Sequence, residues 1–217
     1  MTANEREAEA TALVGALSIH DARVRAAMLA VPRHRFVPDE AQVEAYEDAP
    51  VSLGPPGATV SAPHMVVLQL EAAEVSAGDR VLEIGAGMGY LAALLAELVG
   101  PRGHVDAIEL DASLASSARR RLADGGSSGR VTVHAMDGSE GLPGAAPFDR
   151  IIVSCQTSEI VPAWKDQLSD GGRIVAPVGD SFEQILTTMV RSGARWTSRN
   201  GPGCRFVALR HRLPRDI

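Results

Sequence analysis

An apolar run that ends in three alternating glycines, Val81-Leu-Glu-Ile-Gly-Ala-Gly-Met-Gly-Tyr90, constrains this chain more than any other stretch. It reads as a buried strand that opens through a tight turn into a helix over Leu91 to Val99. Glycine at Gly85, Gly87 and Gly89 lets the backbone turn sharply and keeps Cβ atoms out of the path of a ligand. A strand-to-helix turn with no ligand has the same steric needs, so the glycines do not decide the matter alone. Twenty residues past Gly89 a second apolar run, His104-Val-Asp-Ala-Ile-Glu109, ends in a carboxylate. A strand-end acid at that offset suits a ribose diol.

The third glycine arrives one residue too early for the dinucleotide fingerprint Gly-x-Gly-x-x-Gly, which weakens the case for a pyrophosphate at the helix N-terminus. S-adenosylmethionine is therefore a better fit than NAD, and NAD-linked oxidoreduction is the poorer option. A third run, Val131-Thr-Val-His-Ala-Met136, ends in Asp137-Gly138. The Asp137 carboxylate suits an adenine amino group, and it suits a plain turn equally well.

With 217 residues the chain is long enough for one well-buried α/β domain, and nothing in it resembles an interdomain linker. We read residues 1–217 as a single domain, with 1–75 a helical, acceptor-side segment and 76–217 the cofactor-binding core. A net charge of -6 offers no broad attraction to nucleic acid or to an anionic membrane. The triplet Arg119-Arg120-Arg121 is too short to define a binding patch and reads as a solvated helix face. No run is apolar enough to cross a bilayer, and a chain start carrying Glu5, Glu7 and Glu9 lacks a signal peptide's pattern, so a cytoplasmic protein is expected. Cys155 and Cys204 are far apart with no Cys-x-x-Cys spacing, so two reduced thiols and no metal site are expected. A monomer is the favoured state.

Helical patterns cover Asn4 to Leu17 and, after Asp21 as N-cap, continue to Ala30. Prolines and glycines make 31 to 60 a long irregular segment, the kind often given over to function. A helix follows Ser61-Ala-Pro-His-Met65 to about Val75. Strands are expected near 80–84, 104–109, 131–135, 149–154 and 172–178, with helices near 89–99, 111–123 and 160–168. Such alternation implies a Rossmann-like, doubly wound, mostly parallel sheet with helices on both faces. Gln184 to Val190 and Arg205 to Arg210 are expected to close it as an antiparallel edge.

With these pieces in place, the sequence resembles the protein L-isoaspartyl (D-aspartyl) O-methyltransferase family over nearly its whole length. The matching stretches include Val31-Pro-Arg-His-Arg-Phe-Val-Pro38, Ala45-Tyr-Glu-Asp-Ala-Pro50, Thr59-Val-Ser-Ala-Pro-His-Met65, the glycine strand, Asp137-Gly-Ser-Glu-Gly141, Gln167-Leu-Ser-Asp-Gly-Gly-Arg173, Pro177-Val-Gly179 and Arg205-Phe-Val207. The Thr59 to Met65 block is the most specific, because it lies outside the shared methyltransferase core.

The resemblance implies methyl transfer from S-adenosylmethionine to the carboxylate of an isoaspartyl or aspartyl residue in a protein or peptide. The ester can then collapse to a succinimide. It implies Ser61 at the acceptor carboxylate as the catalytic residue, with Thr59, Val60, Ala62 and His64 around it. The cofactor side would comprise Glu83, Gly85, Ala86, Gly87, Gly89, Tyr90, Glu109, Leu110, Asp137 and Gly138. An ionised carboxylate needs no general base, so positioning and exclusion of water should dominate. Ser61 suits a helix N-cap before Pro63 as well, and His64 suits packing better than base catalysis. Tyr46 and Asp48 are expected to brace the acceptor loop.

Three features depart from the family pattern. Ser154-Cys-Gln-Thr-Ser158 replaces an alanine-rich stretch after the fourth strand, Ala58 stands for a glutamine, and Met88 for a serine. Cys155, Gln156 and Thr157 would add bulk and hydrogen-bonding groups beside the acceptor. A specialised homologue that methylates a modified peptide or a small natural-product acid is the alternative function. A binding protein that has lost transfer activity is a third, which Ser61, Glu109 and Asp137 oppose.

Overall fold

The computed structural model describes residues 2 to 211. Helices α1 (Ala3–Ala16) and α2 (Ala22–Ala30) come first. Thr2 starts α1 with a reciprocal capping box to Glu5, and Asp21 caps α2 by accepting from Arg23 N at 2.7 Å. The proline-rich segment that follows holds three single 3-10 turns and a two-residue hairpin, β1 (Val51–Ser52) with β2 (Thr59–Val60). Then comes α3 (Pro63–Ala73), with proline in its first turn.

Alternation then produces β3 (Arg80–Ile84), α4 (Tyr90–Val99), β4 (His104–Glu109), α5 (Ala112–Asp124), β5 (Val131–Ala135), β6 (Phe148–Val153), α6 (Pro162–Asp166) and β7 (Leu168–Gly179). The sheet order is β5-β4-β3-β6-β7-β8-β9, with β3 to β7 parallel and β8 (Gln184–Ser192) and β9 (Arg195–Cys204) antiparallel at the edge. The central strands β3 and β6 carry buried apolar residues on both faces, as a covered sheet requires, whereas the edge strand β5 turns Thr132 and His134 outward. Val81, Ala107 and Ile152 face the core under α3, α4 and α5, whereas Leu82, Ile108 and Ile151 face a second core around Trp164 of α6. The chain leaves β3 in one direction for β4 and β5 and returns on its other side as β6. The carboxyl ends of β3 and β6 therefore flank the switch point where a ligand crevice forms in such sheets.

The closing strand differs from the sequence expectation. It is formed by Arg195–Cys204, whereas Arg205 to Arg210 is irregular apart from one bridge between Ala208 and Gln156. Residues 195 to 203 are exposed throughout, so this edge strand needs no apolar alternation and leaves no periodic signal. The apolar Phe206, Val207 and Leu209 serve elsewhere, across the ends of the parallel strands.

Candidate active site

The carboxyl ends of β3, β4 and β6 open onto two adjoining cavities, of about 290 and 80 Å3. Leu53, Thr59, Gly85, Gly87, Ser154 and Val207 line both, so the two share a wall. Among the expected residues, Val60, Ser61, Ala62, His64, Glu83, Ala86 and Tyr90 line the larger cavity together with Thr59, Gly85 and Gly87. Glu109, Leu110, Gly138 and Cys155 line the smaller one.

The turn after β3 is built as the glycines imply. Gly85 and Ala86 both donate backbone N–H to Ile108 O, at 2.9 and 3.0 Å, and Gly85 and Gly87 have φ of +91° and +56°. The Glu109 carboxylate closes the turn, accepting from Gly87 N at 2.8 Å and from Asp111 N at 2.9 Å. Burial raises its pKa, and these two backbone bonds oppose the rise. Each oxygen keeps a lone pair for a ligand hydroxyl.

Glu83 is 1% exposed and its Oε2 has no hydrogen-bond partner among the described residues. Burial, assisted by the Glu109 charge, pushes its carboxyl up to about 8. Tyr90, also buried, has its hydroxyl pushed up to about 12, with the Arg33 guanidinium 5.0 Å from its ring centroid. An unpaired acid in the cavity wall needs a cation, and S-adenosylmethionine carries an ammonium and a sulfonium. With the diol-suited Glu109 next door, the donor set fits that cofactor.

On the acceptor side, Ser61 is half-buried and its hydroxyl makes no hydrogen bond to another described residue. It does not cap α3. Ala62 holds the N-cap position without a side-chain bond, and Asp48 satisfies the helix start instead, its Oδ1 accepting from His64 N and pairing with His64 Nδ1, both at 2.9 Å. Tyr46 Oη meets His34 Nδ1 at 2.7 Å. Asp48 thus braces the start of α3 and holds His64 at the rim, whereas Tyr46 lines neither cavity and ties the irregular segment together through His34.

Several expected site residues lie elsewhere. Gly89 lines neither cavity; with φ +91° it starts α4, and a Cβ there would sit 3.2 Å from Leu122 Cδ1, so its role is helix packing. Asp137 is also outside both linings; it accepts from Ser139 N at 2.9 Å and lies 3.9 Å from His211 Nδ1. Cys155 faces the Glu109 cavity, not the Ser61 one, and burial pushes its thiol up to about 12. Gln156 and Thr157 line neither. Gln156 Nε2 donates to Gly179 O at 2.7 Å and Thr157 Oγ1 to Glu159 O at 2.8 Å, so both are spent on backbone carbonyls. They present no acceptor-side groups because β6 hands directly to the covering strand segment: Gln156 N donates to Val207 O and Leu209 N to Gln156 O, at 2.7 and 2.8 Å.

Sequence reasoning missed that cover, Gly203 to Arg210, and missed Gln69. The second carried a signal, a glutamine at a fully buried position of an otherwise apolar helix face. Among the described residues no group of three His, Cys, Asp or Glu is placed to hold a metal ion, and no helix is long and apolar enough to cross a membrane.

Residues 9–213 match the family model described as protein-L-isoaspartate(D-aspartate) O-methyltransferase. The chain belongs to that family. It is 52% identical over 187 residues to the protein-L-isoaspartate O-methyltransferase of Ignicoccus hospitalis, covering 86% of this chain and 88% of that one. With the enzyme of the same name from Hyperthermus butylicus it shares 46% over 199 residues, covering 88% and 82%. A solved protein-L-isoaspartate O-methyltransferase superposes with a TM-score of 0.81 at 28% identity; the match spans 94% of this chain and 65% of that longer one. A second solved structure, from Plasmodium falciparum, matches in fold with a TM-score of 0.84 at 22% identity over 95% and 99% of the two chains. In this chain Thr59, Val60, Ser61, Ala62, His64 and Met65 line the same cavity as Gly85, Ala86 and Gly87 of the glycine turn.

Proposed function

We propose that this chain transfers a methyl group from S-adenosylmethionine to the free carboxylate of an isoaspartyl residue in a protein or peptide, giving a methyl ester that can collapse to a succinimide. The observation that carries this reading is that Ser61 and the Gly85 to Gly87 turn line one cavity, so an acceptor group and a cofactor turn meet at one point. S-adenosylmethionine, when bound, would supply a methyl group on a cationic sulfur, with S-adenosylhomocysteine as the leaving group.

The chain's residues do the rest. Glu83 would supply a negative charge at the cofactor's cationic end, and Glu109 would accept from ribose hydroxyls with the lone pairs left after Gly87 and Asp111. Gly138, without a side chain, leaves room for the base. Ser61 donates its hydroxyl to the acceptor carboxylate, which is ionised at neutral pH and needs no base. Phe206 and Val207 put apolar side chains on the cavity wall, which would strengthen the attraction between carboxylate and cation. Since Gln156 and Thr157 are committed to backbone carbonyls, the altered loop offers no support for a different acceptor.

The test is to incubate the protein with S-adenosylmethionine and an isoaspartyl peptide and to look by mass for a base-labile methyl ester. Cofactor binding with no ester on the peptide would defeat the reading.

A further inference from the structure

The wall between α3 and the end of β3 holds two polar atoms for which no described residue offers a partner. Gln69 is fully buried; its Nε2 donates to Val153 O at 3.1 Å and its Oε1 has no hydrogen bond. Glu83 Oε2, on a residue 1% exposed, has none either. Val153 O settles the orientation of the amide, because turning it would set one acceptor against another. Both residues line the larger cavity. Strand alternation puts Glu83 with Val81 on the sheet face packed by α3, the helix that carries Gln69, and the register partner of Glu83, Ile152, packs on that face too.

Two bare buried acceptors on one wall are costly, and an ionised Glu83 there has no counter-ion. One proton meets both needs. Placed on Glu83 Oε2, it removes the buried charge and supplies the donor that Gln69 Oε1 lacks. We propose that in the cofactor-free protein Glu83 is a neutral acid donating from Oε2 to Gln69 Oε1, which makes Gln69 a positioning residue that couples cofactor capture to the release of one proton.

The inference rests on Glu83 being the acid that meets the cofactor's cationic end. When the cation arrives, the Glu83 O–H bond breaks, its proton passes to solvent and the carboxylate keeps the electron pair, so the charge of the site is balanced. Glu109 on the neighbouring β4 acts in the same direction as burial by resisting a second negative charge. The other titratable groups around this cavity are Tyr90 from α4, His64 from α3, and Cys204 and Arg205 at the end of β9.

Calorimetric titration of S-adenosylhomocysteine into the full chain tests this, run from about pH 6 to about pH 9 in buffers of different ionisation enthalpy. Wild type should release close to one proton at about pH 7 and bind more tightly as pH rises to a midpoint near 8, while Glu83→Gln should release none. In Gln69→Ala, water takes the place of the amide and solvates the ionised acid, so the midpoint should fall by about one pH unit. Binding at low pH then tightens several-fold while binding above the midpoint is unchanged. Uniform weakening at every pH with an unmoved midpoint would mean that Gln69 is merely structural and overturns the inference, as would an undiminished proton release from Glu83→Gln. If wild type fails to bind at any pH, the cofactor reading itself falls. Should Gln69→Ala not fold, infrared difference spectra of wild type decide: a protonated-carboxyl C=O band lost on ligand binding is expected, and its absence in the free protein overturns the proposal.

Discussion

Gly87 donates its backbone N–H to Glu109 Oε2 at 2.8 Å, so the acid that ends β4 is tied to the turn that ends β3. The bond explains both ends of the spacing that first pointed to a nucleoside. The turn needs a carboxylate to stop its amide from being buried bare, and that carboxylate is thereby aimed across the cleft with lone pairs to spare.

Replacing Glu109 by Gln keeps the size but removes the charge and one acceptor oxygen. It should weaken S-adenosylhomocysteine binding by about 1.5–3 kcal/mol, the scale of hydrogen bonds to charged groups. Calorimetry is the check, and an unchanged affinity would detach Glu109 from the cofactor.

Ser61→Ala should separate the two halves of the site. The hydroxyl has no other described partner, so its loss should leave cofactor affinity within about threefold and stability nearly unchanged, yet lower kcat/KM for a peptide acceptor by roughly ten- to a hundredfold. Loss of cofactor binding in this variant would contradict the assignment.

Two glycines distinguish packing from ligand room. In Gly89→Ala the φ of +91° and the contacts with Leu122 and Ala118 should cost about 1–3 kcal/mol in stability while cofactor affinity is retained. In Gly138→Ala the new Cβ would come within 2.7 Å of Ile84 Cγ2 at the wall of the smaller cavity, so stability and affinity should both fall. Thermal melts with and without S-adenosylhomocysteine read both effects.

Glu83 should leave a mark on stability against pH. Its folded value of about 8 lies above the ordinary carboxyl value of 4.5, so the native state holds a proton that the unfolded chain gives up. The corresponding stability is fully present below 4.5 and is lost as pH rises towards 8, at up to about 1.4 kcal/mol per pH unit. Denaturant midpoints of Glu83→Gln should lack that part of the slope, so the variant gains on wild type as pH rises. Parallel pH profiles would place the buried proton elsewhere.

The parallel core was legible because each of its strands is a short apolar run bounded by turn residues, and a covered sheet needs nothing more. The cofactor turn was legible for the same reason that it works, since positive φ at Gly85 and Gly87 admits few other residues. The edge strand Arg195–Cys204 was not, because a solvated edge is held by backbone pairing that any polar sequence can supply. Gln156 and Thr157 looked like acceptor groups from their place after β6. Only the structure shows that their side chains are spent on Gly179 O and Glu159 O, while the Gln156 backbone holds the returning chain at Val207 and Leu209. Gly89 belongs to the same motif as Gly85 and Gly87 but serves the contact of α4 with α5, a distinction that spacing cannot carry.

The most direct test of the whole account is methyl transfer to paired peptides that differ only in an aspartyl or an isoaspartyl linkage, compared by kcat/KM. Base-labile ester formed selectively on the isoaspartyl peptide, and diminished by Ser61→Ala, is the predicted result. Cofactor binding with transfer to neither peptide, or equal transfer to both and independent of Ser61, would contradict it.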